Sequence, residues 1–164
     1  MAPKLKLLFC TVPDGPLEGG VKSILEVGES FFIPSISIQR LVEWIRKNGY
    51  ENSYEYYDVN NLRPPDEELV RVFNDLRPTV VGLSGGLSHC YPNLKRIASI
   101  LRKLFPDIWI VAGGHITASA NVILKRTDVD ICVVGDGEIT LKKLLDNFQI
   151  NRTNKQWDYK LLKT

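Results

Sequence analysis

The stretch IWIVAGGHITAS, residues 108–119, is the most informative one for the fold. Residues 108–112 form a short, continuous apolar run of the kind found in strands that are buried on both faces. Residues 113–119 begin with two glycines and become small and polar, which is typical of a tight turn into a helix. We therefore predict a buried strand that is followed by a glycine-bearing loop and a helix.

The same alternation runs through the chain. Further strands are predicted at residues 5–10, 53–59, 79–83 and 131–134, and the strand at 53–59 has the polar alternation of a half-exposed edge. Apolar residues at helical spacing predict helices at 35–48, from Asp66 to Pro78, from Pro92 to Pro106, within 118–125 and up to Phe148. This order predicts an α/β fold: a doubly wound, flavodoxin-like (Rossmann-like) five-stranded parallel sheet, order 2-1-3-4-5, with helices on both faces.

Composition and charge limit the classes of protein to which this chain can belong. The chain has 164 residues, a formal net charge of +2, and no apolar run long enough to cross a membrane. Basic and acidic residues are interspersed, so we expect neither nucleic acid nor membrane as a partner. Three widely spaced cysteines and the lack of a secretory signal pattern favour a cytoplasmic protein. We expect one domain over residues 1–148 and a polar tail, or a linker to a domain beyond this chain, over 149–164.

Glycine-bearing loops follow four of the predicted strands, at residues 11–20, 84–90, 113–119 and 135–138. In open parallel sheets, ligands bind beyond the carboxyl ends of the strands, where these loops would meet. The chain has neither a G-x-x-x-x-G-K-[ST] phosphate loop nor G-x-G-x-x-G after the first strand. The loops therefore predict a bulky ligand that is held against backbone, and not a dinucleotide or a nucleoside triphosphate.

Several of these segments carry a family resemblance. They are VDICVVGDGEITLKKLL (129–145), IVAGGHITA (110–118), VVGLSGGL (80–87) and FFIPSISIQRLVEWIRKNGYENSYEYYDVN (31–60). Together they resemble the cobalamin-binding domain, most closely the one at the N-terminus of cobalamin-dependent radical SAM enzymes. The resemblance implies a cofactor-binding module without a catalytic centre of its own, which would serve methyl transfer or a rearrangement in a larger enzyme.

The resemblance also implies where cobalamin binds. Its benzimidazole tail would extend into the sheet beside Gly113 and Gly114, with Ser84 and Glu138 as hydrogen-bonding groups. The corrin ring would lie over residues 11–13 and 87–91. The cofactor-binding residues implied are Thr11, Val12, Pro13, Ser84, Gly85, Leu87, Gly113, Gly114, His115, Gly135, Asp136, Gly137 and Glu138.

The chain departs from the family pattern at the cobalt ligand. Many cobalamin proteins carry D-x-H-x-x-G after the first strand, and its histidine binds cobalt; here residues 14–19 read DGPLEG, with Pro16 in the histidine position. His89 and His115 lie elsewhere, so we expect cobalamin to be base-off and His-off, with no metal ligand from the protein. The cysteines are expected in the core, except for Cys90 on the pocket rim.

The rest of the enzyme would lie outside this chain. No C-x-x-x-C-x-x-C motif is present, so a 4Fe-4S cluster and S-adenosylmethionine are expected only in a radical SAM barrel domain of the same polypeptide. Two alternatives remain open. The chain could be a degenerate Rossmann-like module that binds no cofactor and serves regulation or domain contact. It could also be a flavin-binding flavodoxin, although it lacks a Ser/Thr-rich phosphate loop after the first strand.

Overall fold

The computed structural model describes residues 5–15, 35–51 and 53–150, with side chains up to residue 148. Five strands in this part of the chain form one sheet in the order β2-β1-β3-β4-β5, and every neighbouring pair is parallel. The strands are β1 (Leu7–Thr11), β2 (Tyr54–Tyr57), β3 (Val80–Ser84), β4 (Trp109–Gly113) and β5 (Ile131–Cys132). The predicted fold class and strand order are confirmed.

Helices connect the strands. They are α1 (Ile36–Ile45), α2 (Val59–Leu62), α3 (Asp66–Leu76), α4 (Tyr91–Leu104), α5 (Ala120–Arg126) and α6 (Glu138–Ile150). An irregular helical turn, Arg46–Tyr50, extends α1, and short 3₁₀ turns precede α4 and α5 at Ser88–Cys90 and His115–Ser119. None of the helices in the described part of the chain has the length and apolar character needed to cross a bilayer.

The two faces of the sheet bury separate cores. Leu8, Val81 and Ile110 point to the face that is covered by α3, α4 and α5, where they join a core that includes Phe73 and Leu101. On the other face, the strand residues next to them in sequence pack against α1 and α6. This arrangement explains why β1, β3 and β4 read as continuous apolar runs, because alternate side chains enter different cores.

Several helix and strand ends differ from the sequence prediction by a few residues, β2 and α1 among them, and β5 and α2 differ more clearly. The sequence predicts β5 over residues 131–134, but the strand ends at Cys132 and leaves the Val134 side chain 68% exposed. The short helix α2 is not predicted, because its four residues are too few to show a helical period. The expected tail, beyond Ile150, lies outside the described residues.

A buried carboxylate ties the edge strand to the centre of the sheet. Asp58 follows β2 and is 5% exposed. It accepts hydrogen bonds from the Thr11 hydroxyl at 2.7 Å, from the Tyr56 hydroxyl at 3.0 Å and from the backbone and side-chain nitrogens of Asn61 at 3.1 and 2.8 Å. The Asn61 backbone contact caps the N-terminus of α2. Asp58 therefore holds together the carboxyl ends of β1 and β2.

We expect Asp58→Asn to lower the free energy of unfolding by about 1–3 kcal/mol, since an amide nitrogen would face donors that the carboxylate now satisfies. Partial burial and the Asp58 carboxylate raise the pKa of Tyr56 to about 12. The stability that goes with this raised pKa is present below the ordinary tyrosine pKa and is lost as pH rises through about 12. In the variant the pKa of Tyr56 should fall part of the way towards 10.0.

Urea unfolding and an absorbance titration of the phenolate would measure the two effects, with Tyr56→Phe identifying the signal. Asp107→Asn, at an exposed turn, is the matched control and should leave both quantities unchanged. Equal stability of the Asp58 and Asp107 variants would contradict the role given to Asp58.

Candidate cofactor-binding site

Small side chains line the carboxyl ends of the central strands. Thr11, Ser84 and Gly113 lie in register across β1, β3 and β4. Two residues earlier, Gly82 lies between Phe9 and Val111, on the same face of the sheet. A Cβ built at Gly113 would have no atom within 4 Å. The face towards α1 and α6 is therefore left unfilled at this end of the sheet.

A cavity of about 660 Å³ occupies this space. Its floor is the sheet, and Ile38, Leu41 and Leu141 from α1 and α6 line it from the opposite side. The volume is within the range of about 300–1,000 Å³ that is usual for ligand and cofactor pockets. It is lined by eleven of the predicted residues: Thr11, Val12, Ser84, Gly85, Gly113, Gly114, His115, Gly135, Asp136, Gly137 and Glu138.

The loops after β3 and β4 are in close contact at the rim of the cavity. Gly114 has a φ of +86°, and a Cβ at this position would collide with the carbonyl oxygen of Gly85. The Gly85 backbone nitrogen donates to the Gly113 carbonyl at 3.1 Å, and a Cβ at Gly85 would lie 2.9 Å from the Ile116 side chain. Both positions therefore require glycine, and Gly114 serves the contact between the loops as well as lining the cavity.

The loop after β5 closes another side of the cavity. Glu138 begins α6 and forms an ion pair with Arg40 of α1 at 2.6 Å. Its side chain is 16% exposed, whereas that of Arg40 is 63% exposed. A Cβ at Gly137 would lie 3.2 Å from the Leu41 side chain, so this loop runs close to α1. Glu138 thus lines the cavity while its carboxylate is paired with the Arg40 guanidinium.

Polar side chains at the ends of the strands and in the loop after β4 are among those that line the cavity. Within the part of the chain that the structure describes, the Ser84 hydroxyl has no hydrogen-bond partner, while the Ser84 carbonyl accepts from the Val12 backbone at 2.9 Å. The Thr117 hydroxyl, by contrast, contacts the carbonyls of Gly114 and Val133 at 2.7 and 3.1 Å. The Ser84 hydroxyl is therefore available to a ligand in the cavity.

Other predicted residues lie apart from the cavity. Pro13 and Leu87 do not line it, although both are close to its rim in sequence, and Pro16 is outside the described residues. The sequence predicts Cys90 on the rim, and this prediction is wrong: the residue is fully buried at the start of α4. Burial and the neighbouring Asp14 carboxylate raise the pKa of its thiol.

The sequence alone does not identify several of the residues that line the cavity. Gly82 has a usable signal, because a glycine inside an apolar strand often marks a close approach or an open face. Ile38, Leu41 and Leu141 have none, since their helical spacing indicates only that they are buried. Asp58 also lines the cavity, and its position after an edge strand does not indicate burial.

A second, larger groove runs beside β5. It encloses about 1200 Å³ and is lined mainly by α1, β5 and the start of α6, with Trp44, Val134 and Ile139 partly exposed. It shares six residues with the smaller cavity: Arg40, Val133, Val134, Gly135, Asp136 and Glu138. Because it lies at the sheet edge and not where the strand ends converge, the smaller cavity is the better candidate for a cofactor site.

Two known proteins are similar to this chain over part of its length. It is 26% identical over 90 residues to "Uncharacterized methyltransferase PH0819" of Pyrococcus horikoshii, an alignment that covers 54% of this chain and 19% of the methyltransferase. It also superposes on the crystal structure of a cobalamin-binding protein from Desulfitobacterium hafniense, with a TM-score of 0.54 and 19% identity, over 85% of this chain and 59% of that one. The chain thus spans less than two thirds of either protein.

The family assignment rests on a longer match. The model of the B12 binding domain matches residues 30–145, which include α1, the strands β2 to β5 and most of α6. The matched region contributes the glycine-bearing loops after β3, β4 and β5 that line the cavity. The chain therefore belongs to the B12-binding domain family.

Proposed function

We propose that this chain holds cobalamin base-off and His-off at the carboxyl ends of its strands, as the cofactor module of a radical SAM enzyme. The observation that carries the proposal is the cavity between the sheet and helices α1 and α6, where the small residues Ser84 and Gly113 leave room at the ends of β3 and β4. A flat, partly apolar group such as the benzimidazole tail fits between such a floor and apolar helix residues. When bound, cobalamin supplies methyl-transfer or rearrangement chemistry at its cobalt.

Individual residues would hold different parts of the cofactor. Gly113 and Gly114 would flank the benzimidazole, and the Ser84 hydroxyl would donate a hydrogen bond to the nucleotide tail. Glu138, fixed by Arg40, would accept hydrogen bonds from ribose or amide groups, beside Gly135, Asp136 and Gly137. The corrin ring would lie over Thr11, Val12, Pro13 and Leu87, and Gly85 and His115 would contact the cofactor from the cavity wall.

The larger enzyme is inferred from two observations. The chain aligns with 19% of the length of a protein described as a methyltransferase, which suits a domain of a longer polypeptide. The sequence also resembles the N-terminal domain of cobalamin-dependent radical SAM enzymes. A barrel domain with a 4Fe-4S cluster and S-adenosylmethionine would then perform the reaction. The free thiols of Cys10, Cys90 and Cys132 support a cytoplasmic location.

A substitution that fills the floor of the cavity tests the site. Gly113→Leu places a side chain in space where a Cβ meets no atom within 4 Å, so the fold should survive. Retention of cobalamin after incubation with hydroxocobalamin and desalting should fall at least about tenfold, equivalent to about 1.4 kcal/mol. Absorbance of the desalted protein measures the retained cofactor.

The matched control is Asn121→Leu, which adds the same side chain at an exposed position of α5. It should retain cobalamin like the unmodified chain. If Gly113→Leu also retained it, the tail would not occupy this cavity. If the unmodified chain retained none, the module without a cofactor would become the better interpretation.

The state of the cobalt gives an independent prediction. Pro16 has no donor atom at the family's ligand position, so the cobalt(II) form should lack a nitrogen ligand. Electron paramagnetic resonance of the reduced complex should show cobalt lines without nitrogen superhyperfine splitting. A triplet on each line would contradict the proposal, and His89→Ala and His115→Ala would then separate a protein ligand from the cofactor's own base.

A further inference from the structure

Three side chains with different metal-ligating atoms meet at the start of α4. The ligand atoms of Asp14, His89 and Cys90 all lie within 4.8 Å of one another. The Nε2 atom of His89 is 3.5 Å from Oδ1 of Asp14, and the Cys90 thiol donates a hydrogen bond to the same oxygen. One oxygen, one nitrogen and one sulfur donor therefore converge, although Asp14 is far from the other two in sequence.

The backbone around Asp14 is held from several sides. The Asn93 side chain, 5% exposed, donates to the carbonyls of Pro13 and Gly15 at 3.0 and 2.8 Å. The Asp14 backbone nitrogen donates to Asn60 at 3.1 Å, and its carbonyl accepts from Arg63 at 2.9 Å. These contacts fix the position of Asp14 and leave mainly the rotation of its carboxylate. A metal-ligating side chain whose backbone is fixed in this way favours metal binding, because less of its freedom is lost when the ion binds.

The cluster is open to solvent on one side. The side chains of His89 and Asp14 are 49% and 50% exposed, whereas Cys90 is buried beneath them. A metal ion that approaches from solvent would therefore contact His89 and Asp14 before it reaches the Cys90 thiol. Tetrahedral zinc ligands at about 2.0–2.3 Å lie about 3.3–3.8 Å apart. The distance of 3.5 Å between His89 and Asp14 is within that range.

We propose that Asp14, His89 and Cys90 form a site for a borderline-soft divalent metal ion of the zinc class, with water in the fourth position. Mixed imidazole, thiolate and carboxylate donors suit this class better than the all-oxygen sites of magnesium or calcium. On binding, the Asp14 carboxylate turns away from the sulfur, the Cys90 thiol releases its proton to solvent, and a sulfur–metal bond replaces the hydrogen bond. No redox change is involved.

Asp14 also lines the cofactor cavity, and the corrin ring is expected over residues 87–91, so the metal site is tested on the cofactor-free chain. After removal of metal with a chelator, the protein is dialysed against Zn²⁺, and bound metal is measured by elemental analysis. Co²⁺ is used in parallel, because a thiolate ligand gives it a charge-transfer absorption band. We expect one metal ion per chain and a thiolate band with Co²⁺.

His89→Ala and Cys90→Ser should each weaken Zn²⁺ binding more than about 100-fold, because even the loss of an outer-shell partner often costs about 10–100-fold. Cys132→Ser removes a thiol outside the cluster and should bind like the unmodified chain. Circular dichroism checks that the variants fold, and the exposed position of His89 makes that variant the safer test. Binding that survives both substitutions, absent binding, or a missing thiolate band would overturn the proposal.

Discussion

The geometry of the site follows from one close contact, between the loops after β3 and β4. The Gly85 carbonyl occupies the place that a Cβ of residue 114 would need. The two strand ends can therefore approach only because both loops carry glycine at the point of contact. The contact lies directly beyond Ser84 and Gly113, the last register pair of β3 and β4, at the rim of the cavity.

The two faces of the sheet are packed differently because of the small residues at the strand ends. On the side of α3, α4 and α5, leucine, isoleucine and phenylalanine side chains form a continuous core. On the side of α1 and α6, Gly82, Ser84 and Gly113 supply little volume, so a cavity remains between the helices and the sheet. The cavity is thus a gap in the second core, bounded by residues of α1 and α6 and by the sheet with its loops.

Charged and polar groups hold the rim in position around this gap. Asp58 joins β1 to β2 through Thr11 and Tyr56, and Glu138 joins α6 to α1 through Arg40. Asn93 and Arg63 hold the segment after β1. Most of these interactions connect elements that are distant in sequence, so the geometry of the rim depends on the complete fold.

The order of elements, the parallel sheet and the glycine-bearing loops could all be predicted from the sequence, because apolar period and turn chemistry are local properties. Three features could not: Cys90 is buried, Ile38, Leu41 and Leu141 line the cavity, and Asp14 meets His89 and Cys90. These features arise where separate segments pack against one another. Such contacts leave no local signal in the chain, so they become visible only once the tertiary structure has brought the segments together.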